Sequence, residues 1–139
     1  MAAAGHRQLE HTADLALELW APSEAALLEE GARALIEIMT EGAVVTAVDR
    51  REVALAALDP EDRLVRWLNE ILVLAVSEGW LFASLEHVEL DAAGALRASI
   101  RGERDAGARV RTELKSATYH QLSLTEREGT WRAQVIIDV

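Results

Sequence analysis

The segment Val135-Ile136-Ile137-Asp138-Val139 sets the Asp138 carboxylate directly before the α-carboxylate of Val139. Adjacent carboxylates repel, and a divalent cation removes that cost. All-oxygen donors suit calcium, magnesium or manganese. On these two residues alone, a solvated strand end is the simpler reading. At the other end of the sequence, His11-Thr12-Ala13-Asp14 places an imidazole and a carboxylate in a short polar turn. Asp14 could present its carboxylate to a site, or His11 and Asp14 could bond their own turn backbone. The helical His-x-x-x-His spacing of a metalloprotease is missing. A third group lies in Glu113-Leu114-Lys115-Ser116-Ala117-Thr118-Tyr119-His120. Lys115 could pair with Glu113, bind an anion or protect a sheet edge, and His120 could ligate a metal, carry a proton or sit at the surface. Asn69 and Glu70, in Trp67-Leu68-Asn69-Glu70, complete the candidates.

These residues need elements to carry them. Leu15, Leu17 and Leu19 alternate with polar or small residues, so 14–20 reads as a half-buried strand leading out of Asp14. Pro22-Ser23 breaks it, and Ser23 can cap a helix whose stripe is Leu28, Ala32, Leu35, Ile36 and Met39, closed by Gly42. Residues 51–58 read as a strand. Asp59-Pro60-Glu61-Asp62 starts a second helix: Asp59 caps, proline fits the first turn, and the acids complement the helix dipole. That helix runs to Glu78, buries Leu64, Leu68, Ile71, Leu72 and Ala75, and ends at Gly79. Its geometry turns Asn69 and Glu70 largely away from the buried stripe.

The rest is strand-like. Leu81–Leu90 and Leu96–Arg101 flank a hairpin turn at 91–95 that contains Gly94. Further strands are expected over 110–117 and 119–124, with a turn at Glu128-Gly129 and a last strand over 131–139. The four tryptophans, Trp20, Trp67, Trp80 and Trp131, are expected to fill the helix–sheet interface. Two helices against a mainly antiparallel sheet make an α+β domain, and with no linker or low-complexity tract residues 1–139 read as one domain.

Composition excludes several chemistries. The chain has no cysteine, so a thiolate nucleophile, a disulfide framework and a Cys-ligated zinc are out. Acids outnumber bases 24 to 14, a formal charge of −10. Such a domain repels polyanions, so direct tight binding of nucleic acid is not expected, and a cation or a basic protein is the better partner. No signal peptide or membrane-length apolar run is seen, and the expectation is a cytoplasmic protein. A Gly-rich phosphate loop and a Ser/His/Asp arrangement are also missing.

Taken together, the ordered set His11-Thr12-Ala13-Asp14, Trp67-Leu68-Asn69-Glu70, Glu78-Gly79-Trp80-Leu81-Phe82, Gly102-Glu103, Glu113 to His120 and Val135-Ile136-Ile137-Asp138-Val139 resembles the archease family. The resemblance implies the archease fold, with a strand-helix-strand-strand module. It also implies a non-catalytic role as activator of an RtcB-type RNA ligase in tRNA splicing and RNA repair, promoting guanylylation and multiple turnover. tRNA would be met only through the ligase. The family's metal site falls on Asp14, Asp138 and an oxygen of Val139, with calcium the first choice and magnesium or manganese the others. Lys115 falls in a family motif, and His120, Glu70 and His11 are further candidates for partner contact. The chain departs from the family at Glu10, often Asp, and at Ala108, where many members carry His. Rival readings are a chaperone-like module for RNA-modifying enzymes and a metal-dependent phosphoesterase. If the implied site is right, the strands that follow Asp14 and precede Val139 must be sheet neighbours.

Overall fold

The order of elements follows the apolar patterning closely. In the computed structural model, which describes residues 3–9 and 14–139, the order is β1 (Gly5–Leu9), β2 (Leu15–Ala21), α1 (Glu24–Thr40), β3 (Asp49–Leu55), α2 (Pro60–Glu78), β4 (Leu81–Leu90), β5 (Leu96–Glu103), a short 3-10 turn (Gly107–Arg109), β6 (Ser116–Ala117), β7 (Ser123–Arg127) and β8 (Thr130–Asp138). The expected single sheet is in fact two. One has the order β1-β2-β8-β6, with β7 also on β8; the other is β3-β5-β4. Every pairing is antiparallel. The helix pair touches both sheets, α1 through β2 and β4, α2 through β6 and β4. No helix among the described residues is long and apolar enough to cross a membrane.

Both helices begin where their caps place them. Ser23 Oγ accepts from the Ala26 N–H at 3.1 Å, and Asp59 Oδ1 accepts from the Asp62 N–H at 2.8 Å. The end of α1 differs slightly from expectation: Glu41, not Gly42, is the first left-handed residue (φ 55°), and its N–H returns to the last turn. α2 ends as expected at left-handed Gly79. The β4–β5 hairpin also forms where expected, with Asp91 Oδ1 accepting from Ala95 N–H. Gly94 there has φ 106°, and a Cβ on it would lie 1.9 Å from the Ala57 carbonyl oxygen, so only glycine fits.

Three expectations need correction. β1 was not expected; it is held on β2 by backbone pairing and on α1 by His6, which bonds Glu30 and lies 3.1 Å from Glu37. The strand expected over 110–117 shrinks to Ser116–Ala117, because the Arg111 and Thr112 N–H groups both donate to the Met39 carbonyl at the end of α1, at 2.7 and 3.0 Å. The strand expected over 119–124 starts later, at Ser123, after a turn in which Leu122 N–H reaches Tyr119 O.

Trp67 and Trp80 are fully buried, whereas Trp20 and Trp131 are only half-buried, so two of the four fill the core as expected. Trp67 meets Phe82 edge to face at 6.0 Å and donates its Nε1–H to Leu28 O at 2.7 Å. The least expected core residue is Arg63. It is 4% exposed, forks onto Glu24 at 2.8 and 3.0 Å, and donates to Asp91 O at 3.1 Å. One guanidinium thus joins α1, α2 and the β4–β5 turn. Arg63→Ala leaves Glu24 buried without its partner, and urea melts should show a loss of about 3–5 kcal/mol. In the double variant Arg63→Met/Glu24→Leu much of that loss should return, since the unpaired carboxylate is gone.

Candidate functional site

The β2–β8 ladder decides where the acidic candidates go. Leu15 pairs Ile137, Leu17 pairs Val135 and Leu19 pairs Ala133, all buried. Alternation drives this register, since a slip of one residue would turn the leucines out of the core. Asp14 precedes Leu15 and Asp138 follows Ile137, so the two carboxylates stand at the same end of adjacent strands. Asp14 is half-buried, while Asp138 and Val139 are exposed. The requirement that these two strands be neighbours is met.

β6 completes this end of the sheet from the other side of β8. Ser116 pairs Asp138 and Ala117 pairs Ile137. Lys115 N–H donates to Asp138 O at 2.8 Å, and Thr118 donates twice to Ile136 O, through N–H at 3.0 Å and Oγ1 at 2.9 Å. Lys115 is therefore tied by its backbone to the residue whose carboxylate is the second metal candidate. Its side chain is exposed, and it makes no ion pair with Glu113 among the described residues.

The other candidates are more dispersed. His120 is exposed in the turn after β6, its N–H 3.4 Å from Thr118 Oγ1. Glu70 is half-buried on α2 and lines a groove with Leu55, Arg66, Asn69, Val73 and Tyr119. His11 lies outside the described residues. Among the described residues there is no group of three or more His, Cys, Asp or Glu side chains that could hold a metal. Two carboxylates and a main-chain oxygen of Val139 are nonetheless hard donors of the type calcium takes, and neither Asp14 nor Asp138 has a cationic partner among the described residues.

A polar stripe on α2 was not foreseen. Asp62, Arg66 and Asn69 follow one another at i, i+4 and i+7, hence on one helix face. Asn69 makes a two-way bond with Ala117: its Oδ1 accepts from Ala117 N–H at 2.7 Å and its Nδ2 donates to Ala117 O at 3.1 Å. Asp62, 7% exposed, accepts from Tyr119 Oη, from Leu58 N–H at 2.9 Å and from Arg66 Nε at 2.9 Å. The Tyr119 hydroxyl, then the Leu58 N–H and Arg66, hold the Asp62 carboxyl below its ordinary range. The same bond to Asp62 pushes the Tyr119 phenol up, although the ring is more than half exposed. In sequence the only hint was that Asn69 turns away from the apolar stripe.

Residues 6–139 match the model of the archease protein family (MTH1598/TM1083). The archease of Methanosarcina mazei is 33% identical, the match covering 96% of this chain and 95% of that one, and the archease of Methanopyrus kandleri is 32% identical, covering 95% and 97%. The fold is similar to the solution structure of protein 1598 of Methanobacterium thermoautotrophicum, with a TM-score of 0.79, 27% identity and coverage of 97% of this chain and 99% of that one. It is also similar to the crystal structure of a Thermotoga maritima archease described as a possible chaperone, with a TM-score of 0.62, 24% identity and coverage of 96% of each chain.

The Asp62–Tyr119 bond sets a pH dependence. A lowered folded-state pKa contributes stability that is present above the unfolded value, about 3.9, and lost as pH falls through the folded value. Tyr119→Phe should cost about 1 kcal/mol at pH 7 in urea melts, because Tyr119 is more than half exposed and Asp62 keeps its bonds from Leu58 N–H and Arg66. The gap between variant and wild type should be full at neutral pH and narrow below about pH 4, as Asp62 protonates in both.

Proposed function

The chain belongs to the archease family, and from that premise we propose that it is a non-catalytic accessory protein, acting in the cytoplasm, that activates an RtcB-type RNA ligase through a cation held at the Asp14/Asp138 end of the sheet. The observation that carries this reading is the β2–β8 register, which sets Asp14 and Asp138, far apart in sequence, at the same end of adjacent strands, with the Lys115 backbone bonded to Asp138.

Asp14, Asp138 and a main-chain oxygen of Val139 would hold the cation, calcium in first place, with magnesium or manganese as alternatives. Bound there, it would neutralise the juxtaposed carboxylates and offer open coordination positions to oxygen ligands. The chain's own residues do the rest. β6 fixes the Asp138 main chain, and Lys115 adds the one lysine of the sequence at the margin of that acidic end. The net charge of −10 repels RNA, so tRNA is engaged through the ligase and not by this chain. Activation then works by preferential binding to the ligase conformation competent for guanylylation, since a partner shifts an equilibrium only by its differential affinity.

A chaperone-like role is the second reading. It draws on the Thermotoga maritima description and on exposed apolar residues of α2, Val73 and Val76. The state of the ligase separates the two, because an activator raises the turnover of a ligase that is already folded, whereas a chaperone raises only the folded fraction.

The deciding experiment is RNA ligation with limiting RtcB-type ligase, with and without this protein. Wild type should restore multiple turnover, and folded Asp14→Asn and Asp138→Asn variants should not. Calorimetric titration with calcium should show binding to wild type, weakened roughly 100-fold or more in either variant, beyond the 10–100-fold that losing an outer-shell partner costs. If both variants activate fully, the cation reading is wrong. If wild type leaves turnover unchanged, the activator reading is wrong.

A further inference from the structure

β6 is only two residues long, Ser116–Ala117, yet it is the element that fastens Lys115 to Asp138. A two-residue strand at a sheet edge has too few backbone bonds to hold itself. On one side it pairs with β8. On the other, where a further strand would stand, Asn69 supplies an acceptor to Ala117 N–H at 2.7 Å and a donor to Ala117 O at 3.1 Å. A primary amide presents the same donor–acceptor couple as a peptide group. One side chain of α2 thus does for β6 what a neighbouring strand would do. Its partner on the same helix face, Asp62, fixes Tyr119 two residues farther along.

We infer that Asn69 is a positioning residue for the Asp138 end of β8, acting through β6. The chain of contacts is short: Asn69 holds Ala117, Ala117 and Ser116 pair Ile137 and Asp138, and Lys115 N–H holds Asp138 O. Asn69 touches neither carboxylate of the candidate cation site. It is nonetheless coupled to that site, because the backbone that aims Asp138 is clamped between Asn69 and β2. This inference rests on the proposed role of Asp14, Asp138 and Lys115 as the functional end of the sheet.

The test compares Asn69→Ala with wild type by residue-resolved amide hydrogen exchange, calcium titration and ligase activation. Arg97→Ala, at an exposed position of β5 in the other sheet, serves as control. In Asn69→Ala the Lys115, Ala117 and Thr118 amides should exchange about tenfold faster or more, while the Leu17 and Val135 amides keep their protection. Calcium affinity should fall about five- to tenfold, and activation should recover when calcium is raised, a rescue that Asp138→Asn would not show. Asn69→Asp keeps the acceptor for Ala117 N–H and loses the donor, and should show the same pattern to a smaller degree if the alanine variant does not fold. Wild-type protection at Lys115 and Thr118 in these variants overturns the inference, as does faster exchange with unchanged calcium affinity. If wild type binds no calcium, magnesium or manganese, the cation reading fails instead, and exchange at Lys115 and Thr118 decides the positioning role.

Discussion

β2 and β8, from opposite ends of the sequence, pair along the middle of the larger sheet, between β1 and β6. Seven residue pairs link strands more than 100 positions apart, from Leu15↔Ile137 to Ala21↔Trp131. Such a contact closes nearly the whole chain into a loop, which is entropically costly and must be repaid by burial. Leu15, Leu17, Leu19 and Ala21 from one strand and Ala133, Val135 and Ile137 from the other supply that burial on a common face. The same alternation that drives the pairing fixes its register, and the register alone makes Asp14 and Asp138 neighbours.

Around this ladder the polar groups act as joints between layers. Arg63 ties α1, α2 and the β4–β5 turn, Trp67 ties α2 to α1, Trp80 ties its Nε1–H to Asp49 at 2.8 Å, and Asn69 ties α2 to β6. No buried side-chain nitrogen or oxygen among the described residues lacks a partner. Each joint connects elements that share no backbone pairing, so each fixes an orientation that apolar packing by itself leaves loose. The segment from Val110 to Leu122 relies most on such joints. It hangs from Met39 O at one end, from β8 through residues 115–118, and from Asn69 and Asp62 beyond.

The charge distribution disfavours a direct surface for RNA. Many arginines are already engaged: Arg63 with Glu24, Arg66 with Asp62, Arg101 with Glu86 and Arg109 with Glu103. What remains is a surplus of acids on a small surface. A cation or a basic protein face relieves that surplus, whereas a phosphate backbone adds to it.

The sequence shows the helices, three of their four caps and the hairpin, because Ser23, Asp59-Pro60, Gly79 and Gly94 act through bonds and torsions local to them. It also determined which residue types could bind a hard cation. It did not reveal β1, whose five residues carry no strong alternation and are held by Glu30 and Glu37 of a distant helix. It misled over 110–117, where alternation was present but the α1 carboxyl end captured two of the N–H groups a strand would use. Long-range pairing brought Asp14 and Asp138 to one end of a sheet, and helix–strand packing set Asn69 on Ala117. The reason is physical: caps and turns are settled by neighbours in sequence, whereas a site made of strand ends exists only once long-range pairing has chosen its register.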